Sequence, residues 1–167
     1  NMWDIAYSLS SALLAILLGV VLGNVLQGMP LDADMEFAGS WIEFINPYAL
    51  MVAICTLAIF MMHGAIYLIM KTEGKQFVKM TRHVKEAMIF FIVSFAITTV
   101  YSLIYFPHLS DRFKDNPILF IVPLLAFLSI ANIPRLIHKK KYNFAFLFSS
   151  VSIAMLLMIV AIELYPV

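Results

Sequence analysis

The stretch YALMVAICTLAIFMMHGAIYLIM, from Tyr48 to Met70, holds no Asp, Glu, Lys or Arg, and Lys71 ends it abruptly. A helix rises 1.5 Å per residue, so about 20 apolar residues cover the roughly 30 Å hydrocarbon core of a bilayer. The stretch therefore reads as one membrane span. Working outward, Ile5 to Leu26, Ala87 to Phe106, Ile118 to Ile133 and Phe144 to Leu164 have the same character. The expected fold is all-α, a polytopic transmembrane helical bundle with spans at 5–26, 48–70, 87–106, 118–133 and 144–164. The connections are too short for a soluble domain, which makes 1–167 a single transmembrane domain in which irregular backbone stays out of lipid.

Composition and charge placement agree. Hydrophobic residues make up 63% of the 167 positions and charged residues 13%, far from a soluble domain and from any nucleic-acid-binding balance. Net charge is +1, and the distribution says more than the total. No Lys or Arg precedes Lys71; Lys71, Lys75, Lys79, Arg82 and Lys85 follow the second span, Arg112 and Lys114 the third, and Arg135, Lys139, Lys140 and Lys141 the fourth. The positive-inside rule then predicts a cytoplasmic N-terminus and an external C-terminus. Asp32, Asp34, Glu36 and Glu43 fall in the first outer loop, in keeping with that orientation. Cys55 is the one cysteine, so neither a disulfide framework nor a thiol-based metal site is expected.

Asn46-Pro47 and Asn116-Pro117 each set a capping residue before a proline, predicting that spans two and four begin there. Leu26-Gln27-Gly28-Met29-Pro30 closes span one. Span four is the shortest, and Pro123 inside it predicts a kink. The opening Asn1-Met2-Trp3-Asp4 lacks an initiator methionine and a cleaved-signal pattern, so the chain is expected to be part of something longer.

Ser11, Ala15, Gly19 and Gly23 recur every four positions, and Gly19/Gly23 form a GxxxG pair. Such a face admits a neighbouring backbone at close range, and helix packing against another helix of a complex is the expectation. A glycine face opened for a quinone or haem is the rival reading. Ser94, Thr98 and Ser102 repeat the spacing in span three, where their hydroxyls can bond a carbonyl one turn back or across an interface.

Ionisable groups within the spans are the candidate functional residues. His63 is the only histidine in a span, with His83, His108 and His138 expected in loops. It is a candidate proton or quinone contact, although hydrogen-bonded packing is the plainer role. One histidine cannot supply both axial ligands of a six-coordinate haem, so a partner would hold any haem. Glu163, just before Tyr165-Pro166, is the second candidate proton or quinone contact, and an interfacial carboxylate is its plainer role. Met61-Met62-His63 and Met155/Met158 carry soft sulfur ligands, but methionine is ordinary packing material and no metal site is expected. Tyr101, Tyr105 and Phe106 fit an outer aromatic belt, and Lys139 to Lys141 a headgroup anchor. No nucleophile with a matched base, phosphate-binding glycine loop or HExxH helix occurs.

Asn1-Met2-Trp3-Asp4, Gly23-Asn24-Val25-Leu26-Gln27-Gly28-Met29-Pro30-Leu31, Ile45-Asn46-Pro47-Tyr48, His63-Gly64-Ala65-Ile66-Tyr67-Leu68 running into Lys71-Thr72-Glu73-Gly74, and Phe144-Ala145-Phe146-Leu147-Phe148-Ser149-Ser150 occur in one order along the chain. Together they resemble subunit II of the cytochrome bd quinol oxidases. The resemblance implies a respiratory complex of the bacterial inner (plasma) membrane that oxidises quinol and reduces oxygen to water, taking its protons from the cytoplasmic side. It implies that haems b and d and the quinol-oxidation loop belong to subunit I. Subunit II would pack against subunit I among membrane lipids and draw on the quinol/quinone pool. Some members hold a structural quinone or line a proton path. The acidic positions of that path lie in early helices absent from this chain, so no catalytic or cofactor-binding residue is carried over. His63 stands where some members have a non-titrating amide. Helices before Asn1, and a loop and helix after Val167, are expected on the same ground. A transporter with a broken helix at Pro123 and a haem-independent membrane scaffold remain the alternative functions.

Overall fold

The computed structural model describes residues 2–28, 34, 39–110, 113–114 and 116–164. Five long helices carry most of the described residues: α1 Met2–Gln27, α2 Pro47–Lys71, α3 Gly74–Tyr105, α4 Ile121–His138 and α5 Tyr142–Leu164. Short 3-10 turns lie at Trp41–Phe44, Pro107–Ser110 and Pro117–Phe120, and there is no strand among the described residues. Each helix, counting α4 with the 3-10 turn ahead of it, is long and apolar enough to cross a membrane. Met29, Pro30, Asp32, Glu36, Arg112, Tyr165 and Pro166, all used in the sequence reading, lie outside the described residues.

α2 is the hub. It packs against α1 and α3, its neighbours in sequence, and against α5, while α4 and α5 form their own pair. The core gathers where four helices meet: Met62, Ile66 and Ile69 of α2, Val84 and Phe91 of α3, Ile133 of α4, and Ala145 of α5. α1 lies outside this cluster, and its apolar side chains from Met2 to Leu18 point largely outward. That outward apolar surface is what a lipid-solvated helix presents, because hydrocarbon is as good a solvent for leucine as a protein interior.

The boundaries differ from expectation in instructive ways. Spans two and three are joined by only Thr72 and Glu73, because α3 starts at Gly74 rather than at Ala87. Its 32 residues make it about 48 Å long, so Lys75, Lys79, Arg82 and Lys85 ride on an amphipathic helical extension, not in a loop. That extension is held by Phe77, Met80, Val84 and Ala87, which pack on the core at helical spacing. Arg82 and Glu86 pair at 2.8 Å on its open side, a contact of little worth in water. His83 therefore lies on α3, and His138 is the last residue of α4.

Asn46 does cap α2: its Oδ1 accepts from the Ala49 N–H at 2.7 Å, with Pro47 following. Asn116 makes no side-chain cap, and the segment after it winds as 3-10 before α4 begins at Ile121. Pro123 explains the change. It sits in the first turn of α4, where its missing N–H leaves Leu119 O without the usual α-helical donor and the residues ahead tighten. The interior proline is Pro134, because α4 runs past Ile133 to His138.

A tight turn returns the chain from α4 to α5. Lys141 N donates to Leu136 O at 2.9 Å and Lys140 N to Ile137 O at 3.0 Å, the bond pair of a Schellman motif. Lys140 adopts φ 56° there, the left-handed conformation usually left to glycine.

Candidate functional site

The seam between α2 and α5 holds His63. Ser149 of α5 is fully buried and donates its proton to Phe146 O at 2.8 Å. Its Oγ therefore accepts from the His63 Nδ1–H, also at 2.8 Å. The Phe146 ring stacks on the imidazole with centroids 4.6 Å apart. Tyr67 tilts against the other reach of Phe146 at 6.0 Å, and Lys71 Nζ lies 5.9 Å from the Tyr67 ring centre. His63, Tyr67 and Lys71 thus line one face of α2, one turn apart, down to its basic end.

Chemically this arrangement orients an imidazole. The hydrogen-bond chain from His63 ends at a backbone carbonyl, which accepts but cannot pass a proton on. Met61 is half exposed while Met62 is fully buried, so these adjacent residues lie on different sides of α2. Among the described residues no group of three or more His, Cys, Asp or Glu side chains comes together to hold a metal ion.

Glu163 is not brought near His63. It is half-buried in the last turn of α5, fourteen residues or about 21 Å along the helix from Ser149. The two candidates occupy different levels of the bundle.

The small-residue face of α1 lies on α2 of the same chain. Gly19 and Gly23 are buried beside Ala53 and Ala49. A methyl group at Gly23 would stand 2.5 Å from Ala49 Cα and 3.2 Å from Val52 Cβ, and one at Gly19 would overlap Ala53 Cα. Ala15 is also buried, whereas Ser11 is exposed and bonds back to Tyr7 O at 2.9 Å. The close approach is therefore made by Ala15, Gly19 and Gly23.

Sequence reasoning missed one polar constellation here. Asn24 Nδ2 donates to Val20 O and to Phe44 O, both at 2.8 Å. Asn46 Nδ2 donates to Asn24 Oδ1 at 2.9 Å and to Glu43 O at 3.1 Å. Both amide groups thereby use both protons, and the clamp fixes the Trp41–Phe44 turn onto the ends of α1 and α2. The only forewarning was Asn24, a polar residue within an apolar run.

The hydroxyl ladder of α3 makes both kinds of bond anticipated for it. Thr98 Oγ1 donates to Ser94 O at 2.8 Å, with Met51 O of α2 at 3.4 Å. Ser102 Oγ donates to Thr98 O at 2.8 Å and accepts from Tyr48 OH at 3.0 Å. Tyr48 lies against Tyr101 and Phe106, and Tyr101 against Tyr105, an aromatic cluster at the end opposite Lys71.

Comparison with known proteins places these features in context. The family profile described as cytochrome bd terminal oxidase subunit II matches residues 1–167. The chain is 24% identical to cytochrome bd-I ubiquinol oxidase subunit 2 of Escherichia coli K12 across 99% of its own length and 52% of that protein. It is 24% identical to a probable cytochrome oxidase subunit 2 of Haemophilus influenzae, over 99% of this chain and 52% of that one. With cytochrome bd ubiquinol oxidase subunit 2 of Bacillus subtilis it shares 23% identity, over 99% and 48% respectively. The chain spans about half the length of the relatives it matches.

Proposed function

From the premise that this chain belongs to the cytochrome bd terminal oxidase subunit II family, we propose that it builds the packing framework of a bacterial quinol oxidase beside a haem-carrying subunit I. The complex would oxidise two quinols to quinones for each oxygen reduced to two waters. The observation that carries this reading is the match of the family profile along the whole chain, joined to five helices of spanning length.

The chain's own part in that reaction is structural support. Within the apolar spans His63 is the one histidine, so this chain could supply at most one of the two axial ligands of a six-coordinate haem, and no electron-transfer step is assigned to it. In this reading haems b and d belong to subunit I. His63 is a positioning residue that ties α2 to α5, and Glu163 is the better candidate for exchanging protons with interfacial water, since it lies in the last turn of its helix. The same two residues are this chain's candidate quinone contacts. The bundle is oriented with its basic end, carrying Lys71, Lys75 and Lys139 to Lys141, toward the cytoplasm of the inner membrane.

Coexpression of the full-length protein containing this segment with subunit I, followed by quinol-dependent oxygen consumption and a haem count, tests the proposal. Activity that needs both subunits, with all haem on subunit I, is expected. Stoichiometric haem on the isolated chain, or solute transport by it in vesicles, would overturn the proposal.

A further inference from the structure

At the basic end, the α2–α3 connection faces the α4–α5 turn across an open cleft of about 650 Å³. Thr72, Glu73, Lys140 and Lys141 line it together with apolar side chains, among them Phe77 and Phe144.

Two observations point to an occupant. Glu73, Lys140 and Lys141 line the same space, yet none forms an ion pair within 4.0 Å among the described residues. Glu73 occupies the N-cap position of α3 without a side-chain bond to the first-turn N–H groups, so those donors also stay open beside Gly74.

A simple anion would satisfy the lysines, but it would bring negative charge against Glu73. A headgroup bearing both a phosphate and a primary ammonium matches both signs. We propose that this cleft seats a zwitterionic aminophospholipid, its phosphate on Lys140 and Lys141, its ammonium on Glu73, and its acyl chains leaving over Phe77 and Phe144. The inference rests on the membrane-spanning reading and is independent of the oxidase assignment. An exposed cluster of lysines alone would prefer anionic lipid; Glu73 reverses that preference within the cleft.

The test is native mass spectrometry of the purified, assembled complex, delipidated and then incubated with phosphatidylethanolamine or phosphatidylglycerol of matched chains. Preferential retention of phosphatidylethanolamine is expected. Lys140→Gly and Lys141→Gln should each lower retention roughly fivefold; glycine keeps the left-handed turn, so this loss cannot be ascribed to misfolding. Glu73→Gln should abolish the preference while retention of phosphatidylglycerol rises. Equal retention of both lipids by the unsubstituted complex, or a preference unchanged by Glu73→Gln, would overturn the proposal. So would displacement by millimolar inorganic phosphate, which would identify a free phosphate site, or no lipid retention at all, which would indicate that protein fills the cleft.

Discussion

A single methyl group added at Gly23 would enter space that α2 already occupies. Its carbon would lie 2.5 Å from Ala49 Cα, 3.2 Å from Ala49 Cβ and 3.2 Å from Val52 Cβ, whereas carbon atoms rest at about 3.5–4.0 Å. The nearest obstacle is backbone, so no rotamer change relieves the overlap. α1 must retreat by roughly 1 Å, and a gap of about 0.5–1 Å already forfeits a quarter to a half of each lost contact. Gly23→Ala is therefore expected to destabilise the α1–α2 pair by about 1–3 kcal/mol, the usual cost of overpacking. Gly19→Ala meets Ala53 in the same way and should cost a similar amount. Because one outward movement of α1 accommodates both methyl groups, the double substitution should cost little more than the worse single one, a coupling of about 1–3 kcal/mol. Gly64→Ala is the control. Nothing lies within 4 Å of the added carbon there, so stability should hold or rise by up to about 1 kcal/mol through helix propensity. Thermal unfolding of the purified protein in one detergent, taken as a double-mutant cycle, reads all four. A Gly23→Ala protein as stable as the parent, or a double variant that costs the plain sum, would refute the reasoning.

Asn24→Ala removes the centre of the amide clamp, leaving Phe44 O and one Asn46 proton without their present partners; a loss of about 1–3 kcal/mol is expected, with faster proteolysis around Trp41–Phe44 as the measurement. His63→Gln retains an N–H for Ser149 and should leave quinol-dependent oxygen consumption by the assembled complex within about twofold, whereas His63→Leu should lower thermal stability by about 1 kcal/mol. A fall in oxygen consumption for His63→Gln at unchanged haem content would instead assign the imidazole to proton or quinone handling. Lys140→Gly relieves a left-handed side-chain residue at φ 56° and should raise stability by about 1 kcal/mol in the same unfolding assay. Tyr48→Phe breaks the 3.0 Å bond to Ser102 while leaving the ring cluster in place, at a cost of about 0.5–1.5 kcal/mol.

Much of the architecture was legible in the residues alone. Burying a span in lipid depends on the apolar content of one continuous stretch, so Tyr48 to Met70 announces α2 without reference to any other part of the chain. The Asn46 cap and the tight face at Gly19 and Gly23 are local in the same sense. Hydropathy misjudged α3, because it measures transfer to lipid and is blind to a helix that continues beyond the membrane on the strength of Phe77, Val84 and Ala87 packing inward. Pro123 was misread for a related reason: a proline kinks a helix interior, and only the start of α4 at Ile121 reveals that it stands in a first turn.

Partner choice was left to the tertiary structure. Ser149 stands 86 residues from the histidine it bonds, and Asn24 is 22 residues from Asn46. The glycine face of α1 could have served any helix, and its place on Ala49 and Ala53 of the same chain followed only from the folded bundle. The cleft between the two basic turns likewise exists only because distant turns share one end. The physical reason is that the bilayer sets how long a span must be, whereas lipid, as apolar as leucine itself, gives no instruction about which helix meets which. That choice is made by close packing and a few polar contacts, and both depend on residues far apart in sequence.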